Sequence, residues 1–150
     1  MNGIFMKINP VIQEENSGCG IASVAVLAGI SYAENKRIAN DLNIYAEDHA
    51  LWSDTRYVRR LLEYHGIKAS DSEIPFVTWD TMPSLALLSL KWHLMNGRPH
   101  WHWAVFARDT EPVVLDSGRR LKNHVRKDFF RMKPKWFIQI MSTHNYNEGM

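Results

Sequence analysis

The chain has 150 residues, a net charge of +2 and a single cysteine. At 45% apolar and 23% charged residues it has the balance of an ordinary soluble globule rather than a disordered chain, and it is long enough to bury a core without staples. One cysteine excludes an internal disulfide and implies no cysteine-rich zinc module; at this length, with no repeat, low-complexity segment or linker, a single domain over residues 1–150 is expected, with no cofactor and no metal.

Met1 to Pro10 has no long apolar core and no clear small-residue cleavage site, so no cleaved signal peptide is expected. The apolar run Ile21 to Ile30 is too short to span a bilayer. The expected location is cytoplasmic, or exported by a route without a Sec signal. Ile21 to Gly29 reads as a buried helix, apolar nearly all round, that ends at Gly29. Ser31 and Glu34 form a capping-box pattern opening a second helix to about Leu42. Ser53 is placed to cap a third, in which Tyr57, Val58, Leu61 and Leu62 recur at helical spacing before Gly66 stops it.

Beyond Gly66 the pattern is of strands. Ile67 to Ala69 and Ile74 to Thr78 are short candidates. Leu85 to Met95 is long and apolar, and Asn96-Gly97 is a hairpin signal that returns the chain as His100 to Ala107, with Pro99 at its start. After a turn at Asp109 to Pro112 comes Val113 to Asp116. Val125 to Arg131 reads as a short helix, and Trp136 to Met141 as a last strand. Helices first (about 13–66) and an antiparallel meander second (about 67–141) make an α+β fold.

Cys19 lies in Gly18-Cys19-Gly20, at the expected start of the first helix. Helix N-termini favour thiolates, and the thiolate is the nucleophilic form of cysteine. The two glycines leave room for a sharp turn and for close approach of a substrate. A free cysteine alone is more often simply packed. What gives this one chemical meaning is its company. In the strand after Pro99, His100, His102, Ala104 and Phe106 share one face, and Trp101, Trp103 and Val105 the other. His102 can serve as general base to a thiol on a neighbouring helix, with His100 as rival and His93 and His124 as weaker candidates. Asp116, closing the next strand, can accept from the second ring nitrogen; Asn123 is the alternative orienter. Gln13, six residues before Cys19, can donate its amide to an oxyanion alongside the Cys19 N–H.

Gln13, the run Gly18-Cys19-Gly20-Ile21-Ala22, His102 with its four following apolar residues, and Leu115-Asp116 resemble papain-like cysteine peptidases. The likeness is closest to the bacteriocin-leader processing branch, which cleaves after double-glycine leaders, and runs from about Pro10 to Met141. It implies a helical subdomain carrying the thiol, packed on an antiparallel sheet carrying histidine and aspartate. Cys19 would be nucleophile, His102 base, Asp116 orienter and Gln13 oxyanion donor. Processing domains of that branch are usually fused to a membrane-spanning exporter. No such segment occurs in this sequence, so a leader peptide is not implied as substrate.

The expected activity is thiol hydrolysis of a peptide bond. Glutamine deamidation and acyl transfer use the same triad and remain alternatives, as does a non-catalytic binding module of the same fold. A metal reading would use His100 and His102 with His93 or Cys19, but lacks a fourth ligand at a diagnostic spacing. Trp92, Trp101, Trp103 and Trp136 are expected in the core or the cleft wall, with recognition surfaces as second choice. From Arg119 to Lys135 the chain is crowded with Arg and Lys against the single acid Asp128. That is a solvated basic face or a site for an acidic peptide or protein partner. No nucleic-acid module accompanies it.

Overall fold

A computed structural model describes residues 8–142; most of the segment considered for a signal peptide lies outside them. Among the described residues, the fold is α+β, with three α-helices followed by an open antiparallel sheet of seven strands. The helices are α1 (Cys19–Ala28), α2 (Tyr32–Asp41) and α3 (Arg56–Tyr64). The strands are β1 (Lys68–Ala69), β2 (Ile74–Pro75), β3 (Leu85–Met95), β4 (Arg98–Arg108), β5 (Pro112–Leu115), β6 (Val125–Arg126) and β7 (Trp136–Ser142). No described helix is long and apolar enough to cross a membrane.

Local signals explain most boundaries. Gly29 takes the left-handed conformation (φ 73°) that closes α1, and Ser31 Oγ accepts from Glu34 N–H to open α2. Asn96 and Gly97 both have positive φ, as a two-residue type I′ hairpin demands, and they pair Met95 with Arg98. α3 differs from its sequence reading. Ser53 ends a 3-10 turn over His49–Ser53, and the carboxylate that accepts the Arg56 N–H belongs to Asp54. Val125–Arg126 is strand rather than helix, because β5 offers it a free ladder edge, pairing Val114 with Arg126. Only Phe129–Arg131 turns, as 3-10.

The sheet order is β1-β7-β3-β4-β5-β6, with β2 also pairing β7. β3 to β6 form the expected meander, but β7 crosses back to pair with β3, Leu87 opposite Ile138. The first six residues of β3 are all buried, with no alternation, because both faces of the sheet are covered. On one face Leu85, Leu87, Trp103, Val105 and Ile138 meet α1 and α3 through Ile21, Val24, Val58 and Leu61. On the other, Ala86, Leu88, Ala104, Phe106 and Phe137 are covered by Met82 and Met132, with Trp79 and Phe129 packed against them.

α1 is buried at every residue from Cys19 to Leu27, and close contact at its start explains its glycines. Gly18 has φ −91°, so no left-handed turn requires it. A Cβ there would lie 2.2 Å from the Tyr32 hydroxyl, and one at Gly20 2.0 Å from the Tyr57 hydroxyl. Two tyrosines from α2 and α3 thus rest on the bare backbone beside Cys19. Gly20→Ala should therefore cost about 2 kcal/mol, lowering Tm on the order of 5–8 °C in thermal unfolding. The loss should shrink when Tyr57 is also Ala; a Gly20→Ala Tm equal to wild type would show that Tyr57 yields freely.

Candidate active site

Cys19 is the first residue of α1, where the opening N–H groups of a helix have no intrahelical acceptors. Its side chain is only 3% exposed, and its Sγ accepts the Trp103 N–H of β4 at 3.4 Å. This contact arises from the sheet. β5 pairs with β4 only from Val105 onward, so toward the hairpin that edge of β4 is left to other partners. The start of α1 fills the gap. Strand alternation turns His102 to the face away from the helices, and Cys19 meets it around this open edge.

His102 Nε2 lies 2.7 Å from Asp116 Oδ1, and because a carboxylate only accepts, Nε2 carries the proton. Cys19 lies close enough to the imidazole to act on its charge, and Nδ1 is the nitrogen that Asp116 leaves open. Burial alone would push the imidazole pKa down. Its electrostatic coupling to Cys19 and its bond to Asp116 outweigh that, and the pKa is pushed up to about 10.

Asp116 is 2% exposed and accepts from three donors. Oδ1 takes His102 Nε2 and, at 3.0 Å, the Gly118 N–H; Oδ2 takes Arg126 Nη1, also at 3.0 Å. Burial would raise this carboxyl, but the bond and charge of His102, then Gly118 and Arg126, hold it well below the usual carboxylate range. Arg126 is fixed in turn by Asp128, through Nε at 3.0 Å and Nη2 at 2.8 Å. Sequence reasoning missed Arg126, one cation among many in a basic stretch; only its pairing opposite Val114, two residues before Asp116, distinguishes it.

Gln13 is buried beside this group and ties the approach to α1 to the turn after β5. Its N–H donates to the Ser117 carbonyl at 3.0 Å, and its Oε1 accepts from Ser117 Oγ at 2.7 Å. Its amide nitrogen donates to the carbonyls of Glu15 (2.9 Å) and Asn16 (3.1 Å). Both donor positions are thus occupied, and to reach an oxyanion Gln13 must give one up.

The rival residues lie elsewhere. His100 packs its ring edge-on to Trp52, at 6.0 Å, and beside His93, at 5.9 Å; burial and then His93 and Arg98 lower its pKa. Asn123 Oδ1 accepts the Val125 N–H, and His124 Nε2 meets the Gly118 carbonyl, so both brace the loop. No group of three or more metal-ligating side chains occurs among the described residues. Trp101, Trp103 and Trp136 form a cluster of edge-on rings, with Trp101 and Trp103 buried in the helix-facing core and Trp136 packed against it. A cleft of about 360 Å³ opens beside His102 and Asp116, lined also by Gln13 and Asn16 and rimmed by Lys91, Arg119 and Arg120.

No protein-family model matches the chain, and no curated protein does. The geometry sets a thiol beside an imidazole, with a buried carboxylate bonded to that imidazole.

Two predictions follow from the surroundings of Asp116. An asparagine has one acceptor oxygen, so in Asp116→Asn its NH₂ would face either the Arg126 guanidinium or the His102 and Gly118 donors. The variant should lose about 2 kcal/mol or more in chemical denaturation, and Arg126→Leu added to it should restore part of the loss. Stability should also depend on pH in both directions. The folded-state depression of Asp116 contributes in full above about pH 4 and is lost as pH falls toward its folded value. The raised His102 contributes in full below about pH 6.5 and is lost as pH rises through about 10. His102→Gln should flatten the alkaline fall in a denaturation series; an unchanged slope would assign that fall to other groups.

Proposed function

We propose that the protein is a papain-like thiol hydrolase that cleaves a peptide bond. The observation that carries this reading is a single imidazole bonded to a buried, ionised Asp116 and electrostatically coupled to the neighbouring Cys19. Cys19 as thiolate, paired with His102 as imidazolium, attacks the substrate carbonyl carbon. The carbonyl electrons move to oxygen, which the Cys19 N–H receives, joined by Gln13 when its longer contact to Asn16 is exchanged. As the C–N bond breaks, the Nδ1 proton of His102 passes to the leaving amine. The acyl group stays on sulfur as a thioester. Water, giving its proton to His102, then attacks the thioester, releases the acid and restores the thiolate–imidazolium pair. Asp116 keeps the imidazole in the orientation that presents Nδ1 to sulfur and stabilises its charge. Deamidation and acyl transfer share the steps to the thioester and differ in the leaving group or in the acceptor.

Iodoacetamide should alkylate Cys19 in the folded protein near neutral pH at least tenfold faster than an unperturbed thiol, and His102→Ala should abolish the advantage. A sulfur that reacts only after unfolding would overturn the proposal. On a peptide pool, Cys19→Ala should remove all turnover. Gln13→Ala should lower kcat roughly 10- to 100-fold, as loss of one oxyanion donor does. Mass spectrometry for cut peptides, set against ammonia release and amine incorporation, separates hydrolysis from deamidation and transfer.

A further inference from the structure

In the thiol hydrolase proposed above, on which this inference rests, the general acid stands beside the leaving amine. The residues that follow the cut must therefore lie along the cleft that His102 lines. The exposed charge along that cleft is of one sign. Lys91, Arg119 and Arg120 are exposed along it, and no carboxylate lies within ion-pairing distance of them among the described residues. Arg119 is held by the neutral Asn16, Nη2 to Oδ1 at 2.6 Å. The one acid in the cleft wall, Asp116, is already committed to His102, Gly118 and Arg126.

Lys91 is there because the sheet is interrupted to put it there. Leu90 pairs with His102 and His93 with His100, so β3 holds one residue more than β4 across this interval. The extra residue makes a bulge, with Lys91 at φ 55°, a region non-glycine residues rarely occupy. His93 Nδ1 bonds the Lys91 carbonyl at 2.7 Å and holds the bulge in shape. A second cavity of about 290 Å³ shares Lys91 and adds Arg131 and Lys133, so the positive lining continues past the first cleft.

We propose that the substrate is an acidic peptide whose Asp or Glu side chains, on the leaving-group side of the cut, are bound by Lys91, Arg119 and Arg120. Bulge, cleft and unpaired cations then serve one purpose: they select an anionic leaving segment and bring it to the thiol by long-range attraction.

The test compares the rate of Cys19 alkylation by iodoacetate, which is anionic, with that by neutral iodoacetamide, at low ionic strength and read by mass spectrometry. The His102 imidazolium favours the anion in every variant, so the informative quantity is the change in the ratio. Lys91→Glu/Arg120→Glu should lower the iodoacetate-to-iodoacetamide ratio about tenfold, and Lys91→Gln/Arg120→Gln by less, with both effects shrinking in 0.5 M salt to roughly twofold or under. Lys68→Glu, at the opposite edge of the sheet, should leave the ratio within about twofold of wild type. Brisk iodoacetamide reaction with a ratio indifferent to residues 91 and 120 would overturn the acidic-substrate assignment and leave the thiol hydrolase standing. If neither reagent reacts with the folded protein, the hydrolase falls, and this proposal with it.

Discussion

The contact between the Trp103 N–H and Cys19 Sγ marks the constraint on which the remaining geometry depends. β4 runs longer than its neighbour β5, and an open strand edge with unmatched donors inside a protein must be covered. Here it is covered by the end of a helix instead of another strand. A helix start also has unmatched N–H groups, so two incomplete ladders meet at one place, with the sulfur between them. To reach that edge α1 must lie deep in the core, and its apolar surface all round permits this. Gly18 and Gly20 let Tyr32 and Tyr57 close over its first turn. Beyond Leu115, β5 peels away from β4 and delivers Asp116 to the far side of His102.

The carboxylate is the stabilising centre of this arrangement. A buried aspartate is costly unless its lone pairs are occupied, and Asp116 has donors on both oxygens. Arg126 is anchored by Asp128 before it reaches Asp116, so the guanidinium arrives in a fixed orientation. An asparagine could orient a histidine equally well in a site where nothing else faced it. Here Arg126 makes a carboxylate necessary, and the extra negative charge in turn favours a protonated imidazole. The loop before α1 is braced in the same way. Glu15 accepts from the Tyr32 hydroxyl at 2.5 Å and from Lys36, while Ser17 Oγ donates to the Ala46 carbonyl.

Much of this was legible in the residues alone, and what was not has a common cause. The bounds of α1 and α2, the Asn96-Gly97 hairpin and β3 follow from caps, glycines and hydrophobic runs, all local signals. The return of β7 to pair with β3 instead of extending the meander is a long-range choice with no local mark. The glycines beside Cys19 illustrate the same limit. Their need for smallness is visible in sequence, but the reason lies in tyrosines from two other helices rather than in a turn. At the candidate site, Cys19, His102 and Asp116 could be picked out because their residue types are rare or sit at strand ends. Arg126 could not, since only the β5–β6 register separates it from its basic neighbours. Gln13 stands between these cases: its position beside the group was readable, but its bonds to Glu15, Asn16 and Ser117 were not.

Charge accounting around the thiol shows how the pieces constrain one another. Asp116 stands as an anion between the cations His102 and Arg126, with Asp128 balancing Arg126 from the rim. Neutralising any one member leaves a neighbour with an unmatched charge at low dielectric, which is costlier than losing a surface ion pair. The imidazolium is therefore supported by its neighbours, and its pKa is held at about 10. An imidazole held this firmly protonated is poised to give a proton before it takes one. In the proposed hydrolase it therefore enters as the acid that serves the leaving amine, and acts as base only toward the water that follows.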